Sequence, residues 1–208
     1  MEFEKLQFIT DGYDVDSTVA QATAAIDGGC RWVQIRMKSA DDNDVVEAAR
    51  RILPAARRNG AVVVIDDRVH LVKPTGVDGV HLGKEDMPPA EARAILGPGS
   101  VIGVTVNSLD DILAVDHAVV DYMGMGPFRF TVTKKKLAAT LGLDGYRRIL
   151  AEARSAGITT PVVAIGGITL DDVPHLMATG VNGIAVSGAI GRVEDPAASA
   201  KEFLKILN

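Results

Sequence analysis

One cysteine, Cys30, is all the chain has in 208 residues, so an internal disulfide is impossible and a disulfide-built scaffold is excluded. Four scattered histidines and no second cysteine leave no zinc spacing. No run approaches the roughly 18–20 apolar residues of a membrane-spanning helix. The acidic start, Met1-Glu2-Phe3-Glu4-Lys5, has no long apolar stretch behind it and does not read as a signal peptide. Positive charge is not in excess either: the formal charge is −5, which favours neither a nucleic-acid nor a lipid surface. A cytoplasmic protein is expected, and basic residues that do cluster need a local reason.

The chain is rich in short apolar runs: Leu6–Thr10, Trp32–Ile35, Ala61–Ile65, Gly79–Leu82, Val101–Val104, Val119–Met123, Val162–Ile165 and Gly183–Val186. Segments of helical period separate most of them. Val45, Val46, Ala49, Ile52, Leu53 and Ala56 mark one such face, with Pro54 expected to kink or split it. Tyr146, Ile149, Leu150 and Ala153 mark another, and Val173, Leu176 and Met177 a third. Thr169 with Asp172 reads as a capping box, and Gly180 as a stop. Strands alternating with helices imply parallel pairing through right-handed crossovers. The first strand leads into Ile9-Thr10-Asp11-Gly12, not into a dinucleotide-binding glycine fingerprint. The expected fold is therefore α/β, a (β/α)8 TIM barrel in which residues 1–208 form a single domain.

Such barrels carry their chemistry where the strands end. The second strand runs into Gln34-Ile35-Arg36-Met37-Lys38, and alternation puts Gln34, Arg36 and Lys38 on one side. Charges lining a barrel mouth call for an anionic partner. The third strand leads into Asp66-Asp67-Arg68 and the fourth into His81-Leu82-Gly83-Lys84-Glu85-Asp86. Asp67 and Asp86 can meet across neighbouring loops, and two adjacent carboxylates repel unless a proton or a cation intervenes. Magnesium suits the pair, because it takes one or two carboxylates plus substrate phosphates and water. Asp86 also precedes Met87-Pro88-Pro89 and an expected helix, where a capping role would be ordinary. His81 reads equally as a satisfied structural residue, and Thr105 as a turn hydroxyl.

The remaining loops suit anions. The sixth strand is followed by residues 124–136, whose amides, Thr131, Thr133 and lysines could wrap one. Lys135 and Lys136 read as solvent-facing, and Lys134 as the better ligand. Gly166-Gly167-Ile168 follows the seventh strand, and Ser187-Gly188-Ala189-Ile190 the eighth. Those two loops form the usual phosphate cradle of this fold. Two anion regions at one mouth would suit two phosphorylated substrates, one of them a diphosphate.

These pieces together resemble the thiamine phosphate synthase family over nearly the whole chain. The matching stretches are Gln34-Ile35-Arg36-Met37-Lys38, Ile65-Asp66-Asp67-Arg68, residues 79–86, Gly126-Pro127 with Thr131-Val132-Thr133-Lys134, and Ala164-Ile165-Gly166-Gly167-Ile168. The resemblance implies a transferase that joins an aminopyrimidine methyl diphosphate to a thiazole phosphate and releases pyrophosphate. It implies that Gln34, Arg36, Lys38, Asp66, Thr105 and Lys134 hold the pyrimidine diphosphate. Asp67 and Asp86 would bind Mg2+, and Thr131, Thr133, Gly167, Ser187 and Gly188 would hold the thiazole phosphate. Arg36, Lys38 and Lys134 would do the catalytic work of neutralising the leaving group.

The chain departs from the family pattern at Met37 (an acidic residue there), Asp66 (Asn) and Thr105 (Ser). Ser187-Gly188 also stands where an apolar residue and Ser are usual. Asp66 adds negative charge beside a diphosphate and loses an amide donor, or else reaches the metal. A thiazole tautomerase of the same fold would carry His where Pro127 stands, and proline transfers no proton. A non-catalytic barrel that senses a phosphorylated metabolite would have no need of the metal carboxylates and Lys134. A sugar-phosphate epimerase would need an acid–base pair facing one carbon. Outer barrel helices could support a homodimer, though no single patch is marked for it.

Overall fold

The computed structural model describes residues 4–130 and 139–208. Eight parallel strands close into a barrel in sequence order, the last pairing with the first. They are β1 (Leu6–Ile9), β2 (Trp32–Ile35), β3 (Val62–Asp66), β4 (Gly79–Leu82), β5 (Val101–Val106), β6 (Tyr122–Met125), β7 (Val162–Ile165) and β8 (Gly183–Val186). The expected runs match these closely, except that β6 starts three residues beyond Val119. There Asp121 interrupts the run: its carboxylate accepts from the Ile102 amide at 2.7 Å and from Arg93 at 2.7 Å. Val119 lies in a turn, its amide bonded to the Asp116 carbonyl.

Both faces of the strands are covered, which explains their unbroken apolar character. The outer face meets the helices. On α2 (Asp42–Arg58), Val45, Ala49, Ile52 and Ala56 of the predicted stripe are buried, while Val46 and Leu53 are half-buried. Burying a side chain such as Ile52 contributes about 1.5–3 kcal/mol, so Ile52→Asp would unseat the helix. Pro54 does not split α2, which runs on to Arg58. Pro54 faces solvent, so the carbonyl that loses its amide partner there is open to water. On α6 (Gly142–Ser155), Tyr146, Ile149, Leu150 and Ala153 are all buried. The Thr169–Asp172 capping box opens a 3-10 turn leading into α7 (Val173–Met177), and Gly180 follows with φ 94°.

A smaller cluster fills the barrel axis: Ile9, Trp32, Val64, Val101, Tyr122, Val163 and Ala185. Trp32 and Tyr122 meet edge to face, with ring centroids 4.6 Å apart. Gly103 makes room for that, since a Cβ there would sit 2.1 Å from the Tyr122 ring. Strand periodicity then fixes what lies above this plug. Two residues beyond Trp32 comes Gln34, two beyond Val64 comes Asp66, and two beyond Ala185 comes Ser187. The polar mouth is the next layer of the same alternation.

Candidate active site

The loops after β2, β3 and β4 converge on one charged cluster. Gln34 and Asp66 are buried at the strand ends, and the Gln34 amide donates to Asp66 Oδ1 at 2.7 Å. Lys38 Nζ lies 3.2 Å from Asp66 Oδ2, and Arg36 Nε lies 3.7 Å from the same oxygen. Beyond these two ion pairs, buried Oδ2 forms no hydrogen bond among the described residues. Lys38 also donates a short hydrogen bond to Asp67 Oδ2. The anionic partner that these cations require is supplied by the chain's own carboxylates.

Asp67 sits just past β3 with φ 65°, the one described non-glycine residue in the left-handed region. That conformation costs a non-glycine residue on the order of 1 kcal/mol, and Asp tolerates it better than most. The turn is held by the Asp67 amide, which donates to the His81 carbonyl at 2.9 Å. Asp67 Oδ1 is buried with no hydrogen-bond partner among the described residues. Facing it is Asp86, which caps no helix: its Oδ2 instead accepts from the Gly83 amide at 2.6 Å. The helix that follows, α4 (Pro89–Leu96), has no side-chain cap. Burial first, and then the facing Asp67 carboxylate, hold Asp86 above the ordinary carboxylate range. Burial pulls the Lys38 ammonium the other way, but Asp66 and Asp67 outweigh it and its net shift is upward.

Two acceptor-only carboxylates, one with an unsatisfied buried oxygen and the other pushed toward its protonated form, fit a hard divalent cation. Among the described residues, no group of three or more His, Cys, Asp or Glu side chains could hold a metal. A cation here would complete its shell with water and substrate oxygens, as magnesium does.

Arg68, quoted in sequence only as part of the third-strand motif, pins the Lys38 loop. Its Nη2 donates to the Ala40 carbonyl at 2.6 Å, and its Nε pairs with Asp42 at 3.0 Å. Thr105 joins the site through His81. The imidazole Nε2 lies 3.0 Å from Thr105 Oγ1, and Nδ1 lies 2.9 Å from the Tyr122 hydroxyl. Gln7 completes this column, its amide donating to Tyr122 at 3.1 Å. His81 is thus satisfied on both nitrogens, the structural reading of its sequence position. Gln7 and Tyr122 carried no signal beyond being polar groups inside apolar strands.

The second region lies at β7 and β8. Gly166 (φ 106°) and Gly167 (φ 67°) take conformations open to glycine. The loop after β6 is laced onto them: the Arg129 amide donates to the Gly166 carbonyl at 3.1 Å. The Arg129 side chain reaches the Gly167 carbonyl at 2.9 Å and grips Asp172 through two bonds of 2.7 Å. Ser187 Oγ is buried without a hydrogen-bond partner among the described residues, immediately before the short helix α8 (Gly188–Gly191). Thr131, Thr133 and Lys134 lie outside the described residues.

The sequence model of the thiamine monophosphate synthase family matches residues 6–190. The chain belongs to that family. As a thiamine monophosphate synthase family member, it is 50% identical over 202 residues to thiamine-phosphate synthase of Phocaeicola vulgatus, covering 97% of each chain. It is 49% identical over 201 residues to thiamine-phosphate synthase of Bacteroides fragilis, covering 97% of this chain and 98% of that one. The solved structure of thiamine phosphate pyrophosphorylase from Pyrococcus furiosus superposes with a TM-score of 0.86 at 35% identity. That match spans 98% of this chain and 95% of the other. The family's barrel fold is the one that the strand order here displays. No described helix is long and apolar enough to cross a membrane.

Proposed function

We propose that the chain is a thiamine-phosphate synthase, a cytoplasmic transferase. It joins an aminopyrimidine methyl diphosphate to a thiazole phosphate and releases pyrophosphate. The observation that carries the site assignment is the convergence of Gln34, Arg36, Lys38 and Asp66 with the facing carboxylates of Asp67 and Asp86.

The diphosphate would lie against Arg36 and Lys38, with Gln34 and Thr105 setting its depth and the ring's orientation. Asp67 and Asp86 would hold Mg2+, which when bound supplies further positive charge to the leaving pyrophosphate. Electrons from the ring amino group assist departure of the diphosphate, so no protein nucleophile or strong base is needed. The chain's task is alignment and neutralisation of developing charge. Removing one such preorganised partner typically costs roughly 10²–10³ in turnover.

The thiazole phosphate would sit across the mouth, on the amides of Gly167 and Gly188 and the unpartnered Ser187 hydroxyl. Thr131, Thr133 and Lys134 are assigned to the two substrates by family resemblance. Pro127, where a tautomerase would carry a proton-transferring His, favours the synthase reading. Incubating the protein with both phosphorylated precursors and magnesium should release pyrophosphate. Folded, metal-saturated protein that releases none would overturn the proposal.

A further inference from the structure

We propose that Asp66 is an internal counter-ion that stands in the diphosphate's place on Arg36 and Lys38 and sets how tightly the diphosphate is held. It acts as a positioning residue through those cations and rests on the substrate reading above.

The geometry separates Asp66 from the ion pairs that merely brace the fold. Arg129 grips Asp172 through two bonds of 2.7 Å, a closed fork with good geometry. Asp66 instead meets Arg36 at 3.7 Å and Lys38 at 3.2 Å, both through Oδ2, which forms no hydrogen bond among the described residues despite its burial. Only Oδ1 is firmly tied, to the Gln34 amide at 2.7 Å. One oxygen anchors the group, and the other holds two cations at ion-pair range without closing on either.

Leaving these charges unopposed at a partly desolvated mouth is unfavourable. The carboxylate therefore keeps Arg36 and Lys38 aimed inward while no substrate is present. A diphosphate brings more negative charge than one carboxylate and can close hydrogen bonds that Asp66 does not. It takes the cations over, but the Asp66 charge remains fixed nearby through Gln34 and opposes it. Affinity for the substrate's diphosphate, and for the pyrophosphate that leaves, is lowered accordingly, which hastens product release.

Asp66→Asn removes the charge and keeps an oxygen for the Gln34 amide. Calorimetric titration of inorganic pyrophosphate into the full-length protein, without divalent metal, should give roughly tenfold tighter binding in the variant. KM for the pyrimidine diphosphate should fall in parallel. Equal or weaker pyrophosphate binding by a folded Asp66→Asn protein overturns the proposal. So does weakening seen only when magnesium is added, which would make Asp66 a metal ligand. Asp66→Ala, which also lacks the charge, should bind pyrophosphate more tightly than wild type should the first variant fail to fold; if it does not, the proposal falls. A wild-type protein that binds pyrophosphate but never forms it from the precursors would sink the enzyme reading and leave this one standing. Turnover by the wild type with no change in pyrophosphate affinity at Asp66→Asn would do the reverse.

Discussion

Asp67 and Asp86 face one another across neighbouring loops, close enough for the first to raise the pKa of the second. That repulsion is a cost which the metal-free protein carries. Asp86→Asn removes it and keeps an acceptor for the Gly83 amide, so the metal-free variant should melt at a higher temperature than wild type. The same variant should lose the stabilisation that magnesium gives the wild type. Because Asp86 is raised, protons compete for it at a higher pH than for an ordinary carboxylate. Magnesium-induced stabilisation of the wild type should therefore fade as the pH falls through that raised value. A variant still stabilised by magnesium as the wild type is would show the metal assignment to be wrong.

Ser187 holds a buried hydroxyl that bonds to no described residue. Ser187→Ala should leave the free protein as stable as before, or firmer by up to about 1 kcal/mol in urea denaturation. Its KM for the thiazole phosphate should rise roughly tenfold if the hydroxyl serves the ligand. A clear loss of stability with an unchanged KM would assign the hydroxyl to the fold.

Tyr122 links Gln7 to His81 inside the barrel. Tyr122→Phe keeps the ring contact with Trp32 and removes the hydroxyl that both neighbours use. A loss of about 1–3 kcal/mol in urea denaturation is expected. A change below about 0.5 kcal/mol would mean that the polar column contributes little.

Asp172 is pulled two ways. Burial raises its pKa, but Arg129 and Thr169 outweigh burial, so the folded value lies below the ordinary 3.8. A lowered carboxylate gives stability that is present above 3.8 and is lost as the pH falls through the folded value. The wild-type melting temperature should thus fall more steeply than that of Asp172→Asn between about pH 5 and pH 2. Parallel curves would detach the Arg129–Asp172 fork from stability.

Strand and helix order were legible because burial on both faces writes β-branched runs such as Val62–Ile65 into the chain, with amphipathic stripes between them. The mouth cluster was legible for the same reason, since alternation carries Gln34, Arg36 and Asp66 inward once the strands are placed. Period cannot report where a carboxylate interrupts a run, so β6 was placed early at Val119, before Asp121. Nor can it report that Pro54 faces water, where a missing amide is tolerated. The partners of Asp66 depend on distances between the ends of two separate strands, and residue types alone left its role open. Arg68 fastens the Lys38 loop mainly through carbonyls and Arg129 reaches the loop after β7 partly through one; carbonyls leave no mark in a sequence.

Trp32 and Tyr122, packed across the axis beneath the charges, make the described barrel a cup with a floor. Two substrates and two products must then share one rim. Entry and exit are then both from the side of the charges, above that floor. The weak grip that Asp66 enforces on pyrophosphate would clear that rim for the next round.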